Sequence, residues 1–309
     1  MTADFLLNWI ASTPNFAAPL LLASLGLIIC ERAGVINLGA EGLMAGGAMI
    51  AVIMSFETGN PWLGLLVGVL VGAALASLFA IAVVVFHANQ VLAGLAIVAL
   101  GAGFTGVIGR PYVHQPVKGL NETDFGVLSE IPWLGRILFS QDPLVYLTVA
   151  LTVVVWWIVM RTNTGLRLRA VGEDPATADV SGVRVAWYRF VAVVSSGAFC
   201  GLAGAYLSLA SSKVWVEEMI AGRGWIAVAL VIFAQWHPLR ALVGALVFGA
   251  AEALSPRLLA TGADVPVYLL MMLPYVVTLA VLVGLAVVRG GAAAGPSALG
   301  LSYLRQDRH

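Results

Sequence analysis

Apolar residues in this chain come in long unbroken runs, without the alternation of a half-buried strand or the narrow stripe of a surface helix. Nine runs stand out, over 16–30, 38–55, 62–86, 91–108, 143–160, 187–210, 225–236, 239–254 and 265–288. Several reach the ~20 residues that a helix needs to cross a hydrocarbon layer roughly 30 Å thick. Lipid offers the backbone no water, so each run must satisfy its own hydrogen bonds as a helix, and the period-2 pattern of a membrane barrel is absent. The pattern therefore predicts an all-α polytopic membrane protein, a single transmembrane domain over 1–309 with eight to ten transmembrane helices. The runs 16–30 and 225–236 are short, as expected of broken or re-entrant segments.

Composition agrees: 61% of the 309 residues are hydrophobic and 10% charged, with a mean hydropathy of +0.97, against the roughly 25% charged of a soluble domain. The lipid bilayer is the first implied partner. A formal net charge of zero suggests no nucleic-acid partner, so the placement of charge matters more than its sum. Cys30 and Cys200 both lie in apolar runs and read as buried hydrophobes. His87, His114, His237 and His309 lack metal-ligand spacing, and no catalytic motif, metal site or cofactor is expected. The literal G-x-G-x-x-G at Gly101, Gly103 and Gly106 lies inside an apolar run, where a dinucleotide fingerprint has no strand to follow. There is no Walker A loop, so any ATP hydrolysis must reside in another chain. The first residues, MTADFLLNWIAST, lack a basic stretch and read as an interfacial helix leading into the first span.

Positive charge marks the cytoplasmic side of a membrane protein. Arg161, Arg167, Arg169, Arg184 and Arg189 cluster between two spans, and Arg289, Arg305 and Arg308 lie in the tail, so both regions are expected there. The connection 109–142 carries Glu122, Asp124, Glu130 and Asp142 and suits the external face. With these assignments nine crossings would put the N-terminus outside and the C-terminus inside. Glycine at helix-packing spacing, as in Gly64, Gly68 and Gly72, or Gly197 with Gly201, predicts closely approaching backbones.

Three polar stretches interrupt the apolar pattern. In RTNTGLRLRAVGEDPATADVSGVR, Asp174 at an N-cap position, Pro175 after it and Gly182 as a stop predict a short surface helix, shaped as a knob for a partner's socket. In ERAGVINLGAEG, Glu31 and Arg32 are expected to pair at a helix end on the cytoplasmic surface. Gly34, Gly39 and Gly42 then make a break that places Asn37 and Glu41 on a solute path. In HANQVLAGLAI, Asn89 and Gln90 open a span, and two roles stand equal, capping its first turn or lining that path.

These stretches, together with GRGWIAVALVIFAQWHPLRALVGALVFG and MLPYVVTLAVLVG, resemble the permease subunits of ABC importers in the ribose and branched-chain amino acid permease superfamily. The resemblance covers nearly the whole chain and is nearest to the shorter of the two paired permeases of the nucleoside and simple-sugar branch. It implies ATP-driven import, in the bacterial inner membrane, of nucleosides, purine ones first, or of a ribose-type sugar. The implied partners are a second, longer permease in a heterodimer, a cytoplasmic ABC ATPase, and a periplasmic or lipoprotein substrate-binding protein. The resemblance makes 161–186 the cytoplasmic coupling region, with Arg169, Gly172, Glu173, Asp174, Pro175, Ala178 and Gly182 as ATPase contacts. It also pairs the second-half break with the first as a weak internal repeat, adding Trp225 and Gln235 to the path. An ion-coupled carrier using Glu41 or Glu252 is the alternative mechanism.

Overall fold

The computed structural model describes residues 3–260 except 122, 124–125, 127–132 and 134, scattered positions between 266 and 287, and 295–304. The described residues form helices α1 (Ala3–Arg32), α2 (Ala40–Thr58), α3 (Pro61–Ala80), α4 (Gln90–Ile108), α5 (Pro143–Arg161), α6 (Asn163–Glu173), α7 (Pro175–Val180), α8 (Val185–Tyr206), α9 (Arg223–Ala234) and α10 (Pro238–Ala260). Among them, seven helical stretches are long and apolar enough to cross a membrane, and α9 is a shorter apolar helix. The predicted runs therefore appear as helices, except that 265–288 lies largely outside the described residues, as do Glu122, Asp124, Glu130, Arg305 and Arg308.

The first span differs from its expected length. It is one helix of 30 residues, continuous from the amphipathic start through Pro14 and Pro19 to Arg32. Trp9 secures its N-terminal end, its indole N–H donating to Ala250 O at 2.8 Å.

Helices α1, α2 and α8 form the centre, with α3 against α2 and α8, and α10 against α1. Small residues let these backbones meet. A Cβ on Gly72 would stand 2.3 Å from Gly197 O, and one on Gly204 only 1.9 Å from Met44 O. This is close helix packing of the small-xxx-small kind. Gly101 of the G-x-G-x-x-G string packs in the same way, since a Cβ on it would stand 2.6 Å from Gly42 Cα. Cys30 and Cys200 are buried and free. The periphery is apolar: Leu92, Val107 and Trp157 are all more than half exposed, as suits helices facing lipid or another membrane subunit.

The bundle has two distinct ends. At one, the 109–121 connection meets α2 and the segment after α8, with Tyr112 donating to the Glu57 carboxylate at 2.9 Å and Val113 bridged to Trp215. At the other lie α6 and α7. Asp174 caps α7 as expected, accepting from the N–H groups of Ala176 and Thr177 at 3.0 Å, and Gly182 ends it at φ +84°.

Candidate functional site

Two helix breaks organise the centre of the molecule. The first follows Arg32, where Gly34 at φ +85° turns the chain and residues up to Gly39 are non-helical before α2 begins. Such a break exposes backbone groups that lipid cannot satisfy. Side chains of a neighbouring helix and of the break itself supply the partners: Gln90 Oε1 on α4 accepts from Ile36 N–H at 2.7 Å, and Asn37 Oδ1 within the break accepts from Gly39 N–H at 2.9 Å. Asn37 Nδ2 donates in turn to Ser196 Oγ at 3.3 Å on α8.

The second break precedes α9. After α8 the helix continues as a π-helical segment, Leu207–Ser212, and the chain then runs non-helically through Trp215 to Gly222, which at φ +82° opens α9. The first N–H groups of a helix have no partner within it and carry its positive dipole end. Glu41 from the start of α2 supplies the acceptor and the negative charge. Its Oε1 accepts from Gly222 N–H and its Oε2 from Gly224 N–H, both at 2.8 Å. Gly224 must be glycine, because a Cβ there would stand 2.5 Å from Glu41 N. The two breaks thus meet through one carboxylate.

Beside that joint lies a cavity of about 470 Å³ between α2, α4 and the non-helical 215–222 segment. Val98, Ala102 and Ala45 give it apolar walls, and Glu41, Thr105, Glu217 and Glu218 its polar groups. Trp215 also lines it, with a buried indole N–H that has no acceptor among the described residues.

The expected path residues separate into different roles. Glu41 lines the cavity, whereas Asn37 is fully buried and Gln90 nearly so, both bonded to the first break. Asn89 caps α4, accepting from Leu92 N–H at 3.1 Å. Trp225 faces outward on α9, and Gln235, at φ +52° past its end, accepts from Arg240 at 2.6 Å. None of these five lines the cavity. Thr105, Trp215, Glu217 and Glu218 went unremarked in the sequence. Only the two adjacent glutamates between apolar runs gave a signal.

Glu31 and Arg32 do end α1, but they do not pair with each other. Both turn to Trp236, just past α9. The Trp236 indole N–H donates to Glu31 Oε2 at 2.6 Å, and Arg32 Nε donates to Trp236 O at 3.1 Å. Glu31 is 3% exposed, so its charge is buried in the protein and not held cheaply at a surface. Glu252 is also engaged, in an ion pair with Arg223.

At the other site, the α6–α7 turn is ordered by its own residues. Gly172 packs directly on Arg32 O, which a Cβ would approach to 2.2 Å, and Ala178 is buried against Val171 and Val185. Both face inward. Glu173, Asp174 and Gly182 are exposed, Pro175 and Arg169 half-buried. The outermost apolar group is Val180, 87% exposed, missed in the sequence because one valine in a short polar turn is unremarkable. The Thr177 hydroxyl and N–H groups hold the Asp174 carboxyl below its ordinary range.

Residues 10–284 match the model of the family described as branched-chain amino acid transport system / permease component. The chain belongs to this permease family. Its relatives include a putative glucose ABC transporter permease protein of Haloferax volcanii, 41% identical over 98% of this chain and 99% of that one. They also include a guanosine ABC transporter permease protein of Bacillus subtilis, 36% identical over 97% of each, and a nucleoside ABC transporter permease protein of Lactococcus lactis, 33% identical over 96% of each. This permease is accordingly a multi-pass membrane protein whose two helix breaks join at Glu41 beside a cavity.

Proposed function

We propose that this permease is the membrane subunit through which an ATP-driven importer moves nucleosides, purine nucleosides first. The observation that carries the reading is the cavity built where the two breaks join. Glu41, Glu217 and Glu218 offer only acceptors when ionised, the Trp215 indole N–H is a donor, and the Thr105 hydroxyl, which donates to Ala102 O at 3.1 Å, is left to accept. A nucleoside presents hydroxyl and amino donors, ring acceptors and a flat base that lies against apolar wall. Relatives named for guanosine and for nucleosides support the same solute class. A simple sugar is the second reading, favoured by the relative named for glucose and by the acceptor-rich lining. Uptake of labelled guanosine and adenosine against glucose and ribose, in cells lacking this chain, separates them. A defect for the nucleosides is expected, and a defect confined to the sugars would replace the first reading with the second.

The proposed partners are an ABC ATPase on the α6–α7 face, a second permease, and a substrate-binding protein on the opposite face, all at a bacterial inner membrane. Residues 161–186 are the coupling region in this reading and 109–142 the external loop. Val180 and Ala176 replace Gly172 and Ala178 as contacts, since the latter two face inward. Val180→Asp places a charge where the chain itself makes no packing use of the side chain. Substrate-stimulated ATP hydrolysis in the assembled complex should fall severalfold; hydrolysis equal to that of the unaltered chain would reject the coupling face.

A further inference from the structure

Residues 295–304 return to the bundle as a strap across the end where α6, α7 and the first helix break lie. At the first break, Gly300 N–H donates to Gly34 O at 3.1 Å, and a Cβ on Gly300, at φ +80°, would stand 2.9 Å from Ile36 Cδ1. At the turn that follows α9, a Cβ on Gly295 would stand 2.6 Å from the Trp236 ring. On α6, Ala298 N–H donates to Gly172 O at 2.9 Å, and Ser297 donates to the Glu173 carboxylate from Oγ at 3.0 Å and from N at 3.2 Å. On α7, the Tyr303 hydroxyl donates to Asp179 Oδ2 at 3.1 Å. On α8, Arg189 is 4% exposed and donates from Nη1 to Leu301 O at 2.8 Å, while its Nε and Nη2 have no partner among the described residues. Without the strap this buried guanidinium would lose its acceptor.

One short segment therefore touches the exposed helix α7, the end of α6, the first break and the Trp236 turn beyond α9. Helix α7 has six residues and packs little on the bundle, so the strap adds a second connection to the first break beside the packing of Gly172 on Arg32 O. Coupling between sites requires such a shared element with defined contacts. We propose that residues 295–304 form a positioning strap that makes α7, the end of α6, the first break and the Trp236 turn beyond α9 move together, with Tyr303 and Ser297 as its positioning residues. The proposal rests on the reading of α6–α7 as the ATPase-contacting face.

The test uses the complete importer in liposomes and compares the full permease with a Tyr303→Phe/Ser297→Ala double variant and with a chain lacking 295–309. Solute imported per ATP hydrolysed is the readout, alongside a disulfide cross-link between Val180→Cys and the ATPase. Both variants should import about fivefold less solute per ATP, with substrate-free hydrolysis within about twofold of normal and the cross-link retained. Asp179→Asn keeps an acceptor for Tyr303 and should keep the ratio. An unchanged ratio in the double variant, with the cross-link formed, overturns the strap while leaving the coupling face intact. Absence of the cross-link in the otherwise unaltered chain overturns the coupling face, and the strap with it. If the shortened chain does not assemble, the double variant alone decides.

Discussion

Glu41 and Glu31 illustrate how carboxylates survive inside an apolar bundle, because each is held by donors from a distant part of the chain. Glu41 takes two backbone N–H groups at the start of α9, and Glu31 takes the Trp236 indole beyond its end. Removing one partner leaves the other buried and unsatisfied, which is costlier than losing both. Glu41→Ala should therefore destabilise the fold by roughly 2–3 kcal/mol, seen as a lowered thermal midpoint in detergent. Glu41→Gln, which keeps one oxygen acceptor, should lose less. Trp236→Phe strands Glu31 and should cost a similar amount, about 2 kcal/mol or more. A midpoint unchanged in either case would contradict the bonds described. The sequence marked Glu31, Asn37 and Glu41 as unusual through their apolar flanks. It could not say that Asn37 bonds to Ser196 across the bundle, since that partner comes from the fold, whereas its bond to Gly39 N–H two residues on is local.

At the scale of the helix, glycine spacing and capping were legible in advance. Gly72→Ala should separate α3 from α8, because its Cβ would reach within 2.3 Å of Gly197 O. Gly103→Ala on α4 should be tolerated, since nothing lies within 4 Å. Comparing folded yield and thermal midpoint for the two tests the packing directly. The α7 cap has a pH signature of determined sign. A carboxyl whose folded pKa is lowered adds stability above its unfolded value, near 3.9, and that stability is lost as pH falls through the lower folded value. The Thr177 and Ala176 bonds to Asp174 should therefore hold at neutral pH and fail only in strong acid, as amide exchange at those two residues would report. The α7 boundaries were readable because Asp, Pro and Gly act locally. The 30-residue length of α1 was not, because its opening residues read as an interfacial helix before a short run, whereas in the fold the helix runs on through Pro14 and Pro19 and packs against α8 and α10.

For the molecule as a whole, the placement of carboxylates bears on the energy source. Glu41 and Glu252 are the groups an ion-coupled carrier would titrate, yet one is bonded to two N–H groups and the other is paired with Arg223. Uptake should accordingly stop when the ATPase partner is inactivated and persist when the ion gradient is dissipated; the opposite pair of results would restore the carrier mechanism. The apolar runs by themselves determined a helical membrane protein, because lipid leaves the backbone no other way to satisfy its hydrogen bonds. Local residue chemistry determined where helices break and where α7 is capped. Which breaks meet, which carboxylate joins them, which residues line the cavity and where the strap lies were decided only by tertiary structure. Those features depend on contacts between residues far apart in the chain, such as Glu41 with Gly224 and Gly34 with Gly300, and no local pattern encodes their pairing.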